Sequence, residues 1–350
     1  MNILKYEIDM LDVKNADAFL IHFFTDSNTE YVILVDGGNY GDGETIAQFI
    51  RDNYTQHYID FAICTHCDKD HFGGIMYLLE QMRDNVDKHV CIKKIWLHDP
   101  AKHVEKGLIK WITNKERRDV KARSVYDLND GNLWDILDEL IKSGKIKWSE
   151  PFSNPQEANQ ESDWKGVISV VGPTIEYYTS LVPDFRNDLL RKKDGEAMVE
   201  PDKIDIDEAE ETLNKRIDEA YDDPSPHNRS SVIFLFTPKE GKKYLFTGDA
   251  CRSSFDYFRS EPLFESLSNL DWFKIPHHGS IHNLDSTMIT HFSPDIAYVS
   301  TKEYNNYLSR SIVNAFKKVK TKTYSTSQNG SMWHHRGTDD REGYSKATPI

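Results

Sequence analysis

No run of apolar residues in this chain approaches the roughly twenty needed to cross a bilayer, and the mean hydropathy of −0.63 excludes a membrane span. The opening residues, with Asp9 and Asp12 and no basic leader before an apolar core, lack the pattern of a secretory signal. The expected location is therefore cytoplasmic. Cysteine is scarce: four residues, at 64, 67, 91 and 251, are too few and too scattered in 350 to frame a disulfide scaffold. Positive charge is also in deficit, with 43 Lys and Arg against 57 Asp and Glu and a net charge of −14. That balance argues against nucleic acid as a partner only until its distribution is read. Residues 200–223 hold eleven acids against three bases, whereas residues 88–123 hold eleven bases against four acids. One face of the molecule is thus expected to attract phosphate while an acidic stretch lies elsewhere, the plainer account being two solvated helix faces.

What the chain does contain is chemistry. The string "THCDKDHFGG" (65–74) places His66, Asp68, Asp70 and His71 within six positions, directly after the apolar run Phe61-Ala62-Ile63-Cys64-Thr65. A buried strand ending in a tight loop would aim these side chains at one point. Imidazole nitrogen and carboxylate oxygen are ligands that zinc, manganese and iron share. Gly73 and Gly74 are read as a close backbone turn into a helix carrying Ile75, Leu78, Leu79 and Met82 on one face. A lone Asp or His in such a loop would be a helix cap; four ligand-type residues at this spacing point to metal. Cys64 and Cys67 have a C-x-x-C spacing, but Cys64 lies inside the strand and Cys67 between ligand-type residues, so reduced thiols are the simpler account.

Two further strings, "YLFTGDA" (244–250) and "KIPHHGS" (274–280), complete a pattern that resembles the metallo-β-lactamase fold superfamily, whose signature is His-x-His-x-Asp-His at the end of a strand. Here the string reads His-x-Asp-x-Asp-His, which looks like the hydrolase domain of the ComEC-type DNA-uptake competence proteins and their stand-alone relatives. "YEIDMLDVKNADAFLIHF", the Asp36-Gly37-Gly38 turn, "SPDIAYVSTKEYNNY" and "TYSTSQNGSM" are similar to the same group, so the resemblance covers roughly residues 1–97 and 228–335. It implies an α/β fold, a four-layer αββα sandwich with a helical and charged insertion.

Carried over by position, the resemblance implies two divalent metal ions, manganese or zinc, with magnesium as a further option. One is held by His66 and Asp68, the other by Asp70, His71 and His278, with Asp249 bridging. Asp70 and Asp249 are then the catalytic residues. His277 is either the ligand in place of His278 or an imidazole that supports a ligand through hydrogen bonds. Asp36 is a candidate for the same two roles. The position at which most of the superfamily supplies a third histidine to the first metal holds Asn228, which leaves that site poorer in protein ligands. His227 beside it is an alternative ligand or, more plainly, a surface-loop histidine. Lys274, Ser280 and Tyr307 are candidate substrate contacts.

Between the matching halves lies an insert from about His98 to His227. Residues 132–144 form a helical stretch with Leu133, Ile136, Leu137, Leu140 and Ile141 on one face and Gly144 as a stop, and residues 165–174 read as a buried strand. The expected organisation is one hydrolase domain over 1–350, with insertions at 98–164, a helical lid, and at 183–227, a charged segment. Residues 3–36 and the motif helix form one half of the sandwich and 228–335 the other.

The expected activity is hydrolysis of a phosphodiester by a metal-bridging hydroxide, in a nuclease acting on DNA or RNA in a bacterial defence or DNA-processing system. The alternatives are a small-molecule hydrolase, acting on a nucleotide, phosphoester, ester or lactone, and a partner-dependent subunit with weak activity of its own. No membrane partner is expected.

Overall fold

A computed structural model describes residues 2–104, 122–129, 131–153, 166–185, 210–239, 241–259, 262–302, 308–341 and 346–350. Within them two sheets lie face to face. The first is seven-stranded, in the order 147–149, 94–96, 61–63, 30–35, 19–25, 3–10 and 332–336. The second is six-stranded, in the order 168–172, 233–236, 244–246, 272–274, 296–299 and 322–325.

Three buried clusters mark the layers. Between the sheets, Ile8, Phe19, Phe23, Phe61 and Trp96 from the first meet Phe234, Phe246, Trp272 and Tyr298 from the second. On the outer face of the first sheet, Leu20, Leu34 and Ile95 pack under the helices Asp42–Asn53, Lys69–Arg83 and Leu133–Lys142. On the outer face of the second, Leu245, Phe273 and Val299 pack under the helices Ser286–Phe292 and Arg310–Lys318. The strands are fully buried at their centres because both faces are covered, which is why they read as continuous apolar runs instead of alternating ones. This is the αββα sandwich.

The parallel pairing places the site. Strands Glu30–Val35, Phe61–Ile63 and Lys94–Trp96 run parallel in the first sheet, as do Tyr244–Phe246, Trp272–Lys274 and Ile296–Val299 in the second. The loops leaving their carboxyl ends carry Asp36, residues 64–68, residues 247–251, residues 275–280 and Ser300.

Several expectations about organisation change. The stretch anticipated as a lid, 98–164, adds strand Lys147–Ser149 to the first sheet, in parallel with Lys94–Trp96. Its helix Leu133–Lys142 buries Leu133, Trp134, Ile136, Leu137 and Leu140 against the core under the motif helix. This part is core because the apolar stripe already belongs to the helix layer. The last strand of the second half, Met332–Arg336, crosses back to pair antiparallel with Ile3–Met10. Residues 105–121, 130, 154–165 and 186–209 of the insert lie outside the described residues.

Gly73 and Gly74 do not form the turn into the motif helix; they sit inside it. A Cβ on Gly74 would lie 1.9 Å from the carbonyl oxygen of Gly37, and one on Gly73 2.5 Å from the Tyr40 nitrogen. The two glycines let the segment after the Asp36 turn lie backbone to backbone on the helix, tied by Gly37 N–H to His71 O at 2.7 Å.

Candidate metal centre

The motif loop is held by Asp36, which adopts a left-handed φ of 57° at the end of its strand. Its carboxylate accepts from the Thr65 backbone N–H (2.7 Å), the Thr65 hydroxyl (2.8 Å) and His71 Nδ1 (2.9 Å). Because the Thr65 hydroxyl donates to Asp36, its oxygen is left to accept from His66 Nδ1 at 3.1 Å. Both imidazoles are thereby turned with Nε2 inward. His66 Nε2 and His71 Nε2 are buried and have no hydrogen-bond partner among the described residues.

These nitrogens meet carboxylates. His71 Nε2 lies 3.4 Å from Asp249 Oδ2 and 3.8 Å from Asp70 Oδ2, and His278 Nε2 lies 3.5 Å from Asp70 Oδ2. Donor atoms of His66, His71 and Asp249 fall within 4.8 Å of one another, as do those of Asp70, His71 and His278. His278 Nδ1 donates to the Ser300 carbonyl at 3.0 Å, which fixes the tautomer. An imidazole with one nitrogen tied and the other aimed into a carboxylate cluster is the donor arrangement a divalent cation takes. The orphaned nitrogens and the mixed nitrogen and oxygen donor set fit zinc or manganese.

Electrostatics match this packing. Burial, reinforced by His71, pushes His66 down to about 3, so the ring is a neutral donor. Burial also lowers His71, but Asp249, Asp36 and Asp70 outweigh it and hold the imidazole well above its ordinary value. Burial raises Asp249, yet His71, Lys274 and His277 leave the carboxyl well below the usual range. A divalent cation in this cluster competes with the proton that the His71 imidazole retains.

Two expected residues, Lys274 and His227, are placed otherwise. Lys274, anticipated at the substrate, is 1% exposed and forms an ion pair with Asp17, donates to the Gly248 carbonyl at 2.5 Å, and reaches Asp249 Oδ1 at 3.3 Å. Its ammonium is spent between carboxylates of the two halves, and so it orients Asp249. His227, anticipated as a surface residue or an alternative ligand, is fully buried: Nδ1 donates to Asp68 Oδ1 at 2.8 Å and Nε2 to the Phe185 carbonyl at 3.1 Å. Both neighbours can only accept, so the ring carries both protons. Burial opposes that charge, while Cys67 and Asp68 raise the pKa well above the ordinary value. Ser280 closes the turn after His278, its hydroxyl accepting from the His282 backbone N–H at 3.3 Å. Tyr307 lies outside the described residues.

Asp68 nevertheless stays near the site, with Oδ2 3.9 Å from His66 Nε2. Asn228 is buried; its amide nitrogen donates to Asp223 at 2.8 Å. His277 places its backbone N–H 3.2 Å from Asp249 Oδ1, Nδ1 2.9 Å from Asp223 Oδ2 and Nε2 4.0 Å from Asp249 Oδ2. Asp249 and Asp223 push its imidazole up to about 9 against the lowering effect of burial, the largest single influence. The four cysteines are free thiols.

Sequence reasoning missed Asp17, Asp223 and Ser300. Asp223 was hidden in the acidic run 200–223, where it read as one more solvated charge; the signal was its place in Asp-Asp-Pro, just before the short helix Pro226–Arg229 that carries Asn228. In the basic stretch 88–123, Lys93, Lys102 and Arg123 are paired with Asp60, Glu150 and Asp99 at 3.1, 3.6 and 2.6 Å. Those three cations are neutralised within the fold. No helix among the described residues is long and apolar enough to cross a membrane.

Comparison with known proteins adds the following. Ribonuclease HI of Haemophilus influenzae (strain ATCC 51907 / DSM 11121 / KW20 / Rd) is 34% identical over 64 residues, 18% of this chain and 40% of that protein. Ribonuclease H of Haemophilus influenzae (strain 86-028NP) shows the same identity, 34% over 64 residues and 40% of its length. The chain thus spans less than half the length of these relatives. The crystal structure of a long-form RNase Z from yeast is similar with a TM-score of 0.38 and 12% identity, over 84% of this chain and 37% of that one. Residues 11–149 match the family model of the metallo-beta-lactamase superfamily.

Proposed function

We propose that the protein is a metal-dependent hydrolase that cleaves phosphodiesters in DNA or RNA. The observation that carries this reading is the convergence of His66, His71, His278, Asp70 and Asp249, with buried His66 and His71 Nε2 atoms that have no hydrogen-bond partner among the described residues. His66 and Asp68 on one side, and Asp70, His71 and His278 on the other, would hold two divalent cations with Asp249 between them. Such cations supply Lewis acidity toward phosphoryl oxygens and make water a competent nucleophile near neutral pH.

The chain's own contribution is preorganisation. Lys274 and the His277 N–H both grip Asp249 Oδ1, which leaves Oδ2 facing His71. Asp36 fixes the His71 ring and Ser300 the His278 ring, so neither must reorient when substrate arrives. Burial of these supports keeps water from competing for their hydrogen bonds. The ComEC-like variant of the motif, with Asp68 in place of a histidine, supports phosphodiester substrates and an oxygen-rich first site that favours manganese over an all-histidine preference.

The test is cleavage of labelled linear and circular DNA, and of RNA, with Mn²⁺, Mg²⁺ or Zn²⁺, beside Asp249→Asn. Metal-dependent cutting that the substitution abolishes is the expected result. A wild-type protein that carries metal yet leaves every polymer intact, while hydrolysing a small chromogenic diester, would replace nucleic acid by a small-molecule substrate.

A further inference from the structure

We propose that His277, held by Asp223, is the nitrogen ligand that completes the first metal position, in place of the third histidine absent at Asn228. The inference rests on the metal-dependent reading of the site given above.

Three residues compete for that role. His227 is spent: its two nitrogens donate to Asp68 Oδ1 at 2.8 Å and to the Phe185 carbonyl at 3.1 Å, so neither is turned to the cluster. Asn228 has a buried amide oxygen with no hydrogen-bond partner among the described residues, but a neutral amide oxygen is a weaker ligand than imidazole for zinc-like ions. His277 has the arrangement of a supported ligand. Its Nδ1 faces the Asp223 carboxylate at 2.9 Å, which draws the ring proton to that side and turns Nε2 toward Asp249 Oδ2, 4.0 Å away. Two donors on one ion, each at about 2.0–2.2 Å in tetrahedral geometry, sit roughly 3.5 Å apart. A shift of a few tenths of an ångström at each side chain closes the pair.

The backbone gives a second, independent observation. His277 and His278 are successive non-glycine residues with left-handed φ of 45° and 53°. That conformation is costly for residues with a Cβ and persists where the surroundings over-determine it. Its effect here is to splay adjacent imidazoles, with ring planes at 63° and centroids 5.9 Å apart. His278 then faces Asp70 while His277 faces Asp249 and Asp223. One turn thereby serves both halves of the centre, and Asp223 gathers His277 and the side chain standing where the missing histidine would be.

The experiment is Co²⁺ titration of chelator-stripped full-length protein, followed by visible absorption and elemental analysis, with circular dichroism to monitor folding. Wild type is expected to bind two ions per chain. His277→Gln should keep one at unchanged affinity and bind the other about 10- to 100-fold more weakly. Adding Asn228→His to His277→Gln should restore the second ion, because the imidazole returns from the neighbouring position. Two ions bound with unchanged affinity by folded His277→Gln overturn the proposal. Should that variant not fold, Asp223→Asn takes its place, and unchanged binding of both ions by Asp223→Asn overturns it equally. A wild-type chain that binds no ion overturns the hydrolase reading as well, so the two failures are distinguishable.

Discussion

His227 and Asp68 form a buried ion pair, Nδ1 to Oδ1 at 2.8 Å, in which the imidazole is wholly enclosed and the carboxylate keeps 17% of its side-chain surface exposed. The pair aims Asp68 without His227 touching the cluster of inward nitrogens. Replacing His227 by Gln should leave Asp68 loosely held. The expected effect is metal affinity lowered about 10- to 100-fold at the first position, with the other ion retained. Titration with a metal-sensitive dye at constant pH checks it.

Lys274 lies between Asp17 and Asp249 with 1% of its side chain exposed. Lys274→Met would remove the ammonium that Asp17 and Asp249 share and leave both buried carboxylates short of a cationic partner. The expected loss in chelated protein is about 3–5 kcal/mol. Asp17→Asn added to Lys274→Met should recover part of that loss, since one uncompensated charge disappears. Urea unfolding of the single and double variants, with a two-state fit, measures both.

Gly74→Ala tests the contact between the motif helix and the turn that carries Asp36. Its new methyl would meet Gly37 O at 1.9 Å and Gly43 N at 3.0 Å, both backbone atoms that cannot swing aside. Destabilisation of about 3 kcal/mol or more is expected. Because Asp36 fixes His71, metal binding should weaken too. Ala substitution at Gly144, where no atom lies within 4 Å of the new methyl, has no such clash and meets only the strain of φ 71°. Denaturation midpoints of the two variants separate the mechanisms.

Stability should fall as the solution is acidified from about pH 6.5. His98 is buried between Phe152 and Tyr178, with ring centroids at 4.6 and 4.3 Å, and burial lowers its pKa from 6.5 to about 4. Between these values the unfolded chain binds a proton that the folded chain refuses, so stability is full above the unfolded pKa and is lost as pH falls toward the folded one. The shift corresponds to about 3 kcal/mol. His334, half-buried and likewise lowered to about 4, adds to the slope in the same window. Urea unfolding at pH 7, 6 and 5 should show a shallower decline for His98→Gln than for wild type, with His334 and, in chelated protein, His66 contributing to the remainder.

Chelation should lower the melting temperature, and restoring Mn²⁺ or Zn²⁺ should raise it with ion concentration, because an ion that binds only the folded chain stabilises it by mass action. Asp249→Asn should flatten that response. Differential scanning calorimetry across a metal series reads it directly.

The ligand loop was legible in the sequence because its geometry is local. Ile63 ends a strand, Lys69 begins a helix, and the ligand-type residues between them have little choice of direction. The same holds for the stripe Leu133, Ile136, Leu137 and Leu140, which a helical period alone reveals. Lys274, His227 and Asp223 were misread or missed for one reason. Their partners lie far along the chain, Asp17 for Lys274 and Asp68 for His227, and a polar residue at the end of a strand or in a short helix declares itself buried only when its partner is known. Asp223 had the further disguise of ten other acids around it. The position of strand Lys147–Ser149 was hidden likewise, since its three residues acquire meaning only against Lys94–Trp96.

The return of strand Met332–Arg336 to the first sheet has a consequence for synthesis on the ribosome. Its partner, Ile3–Met10, is made long before it, and Arg341, which clamps Asp9 at 2.6 Å, is 332 positions later than Asp9. At about 5–20 residues per second, translation separates the two by on the order of tens of seconds. During that interval the outer rim of the nascent sheet has open backbone donors and acceptors, a template for strands of neighbouring chains. The span of the chain that delays closure of the rim also contains every donor of the metal cluster. The centre can therefore assemble before its scaffold is sealed, and early metal capture would hold the two halves together while the last strand is still being made.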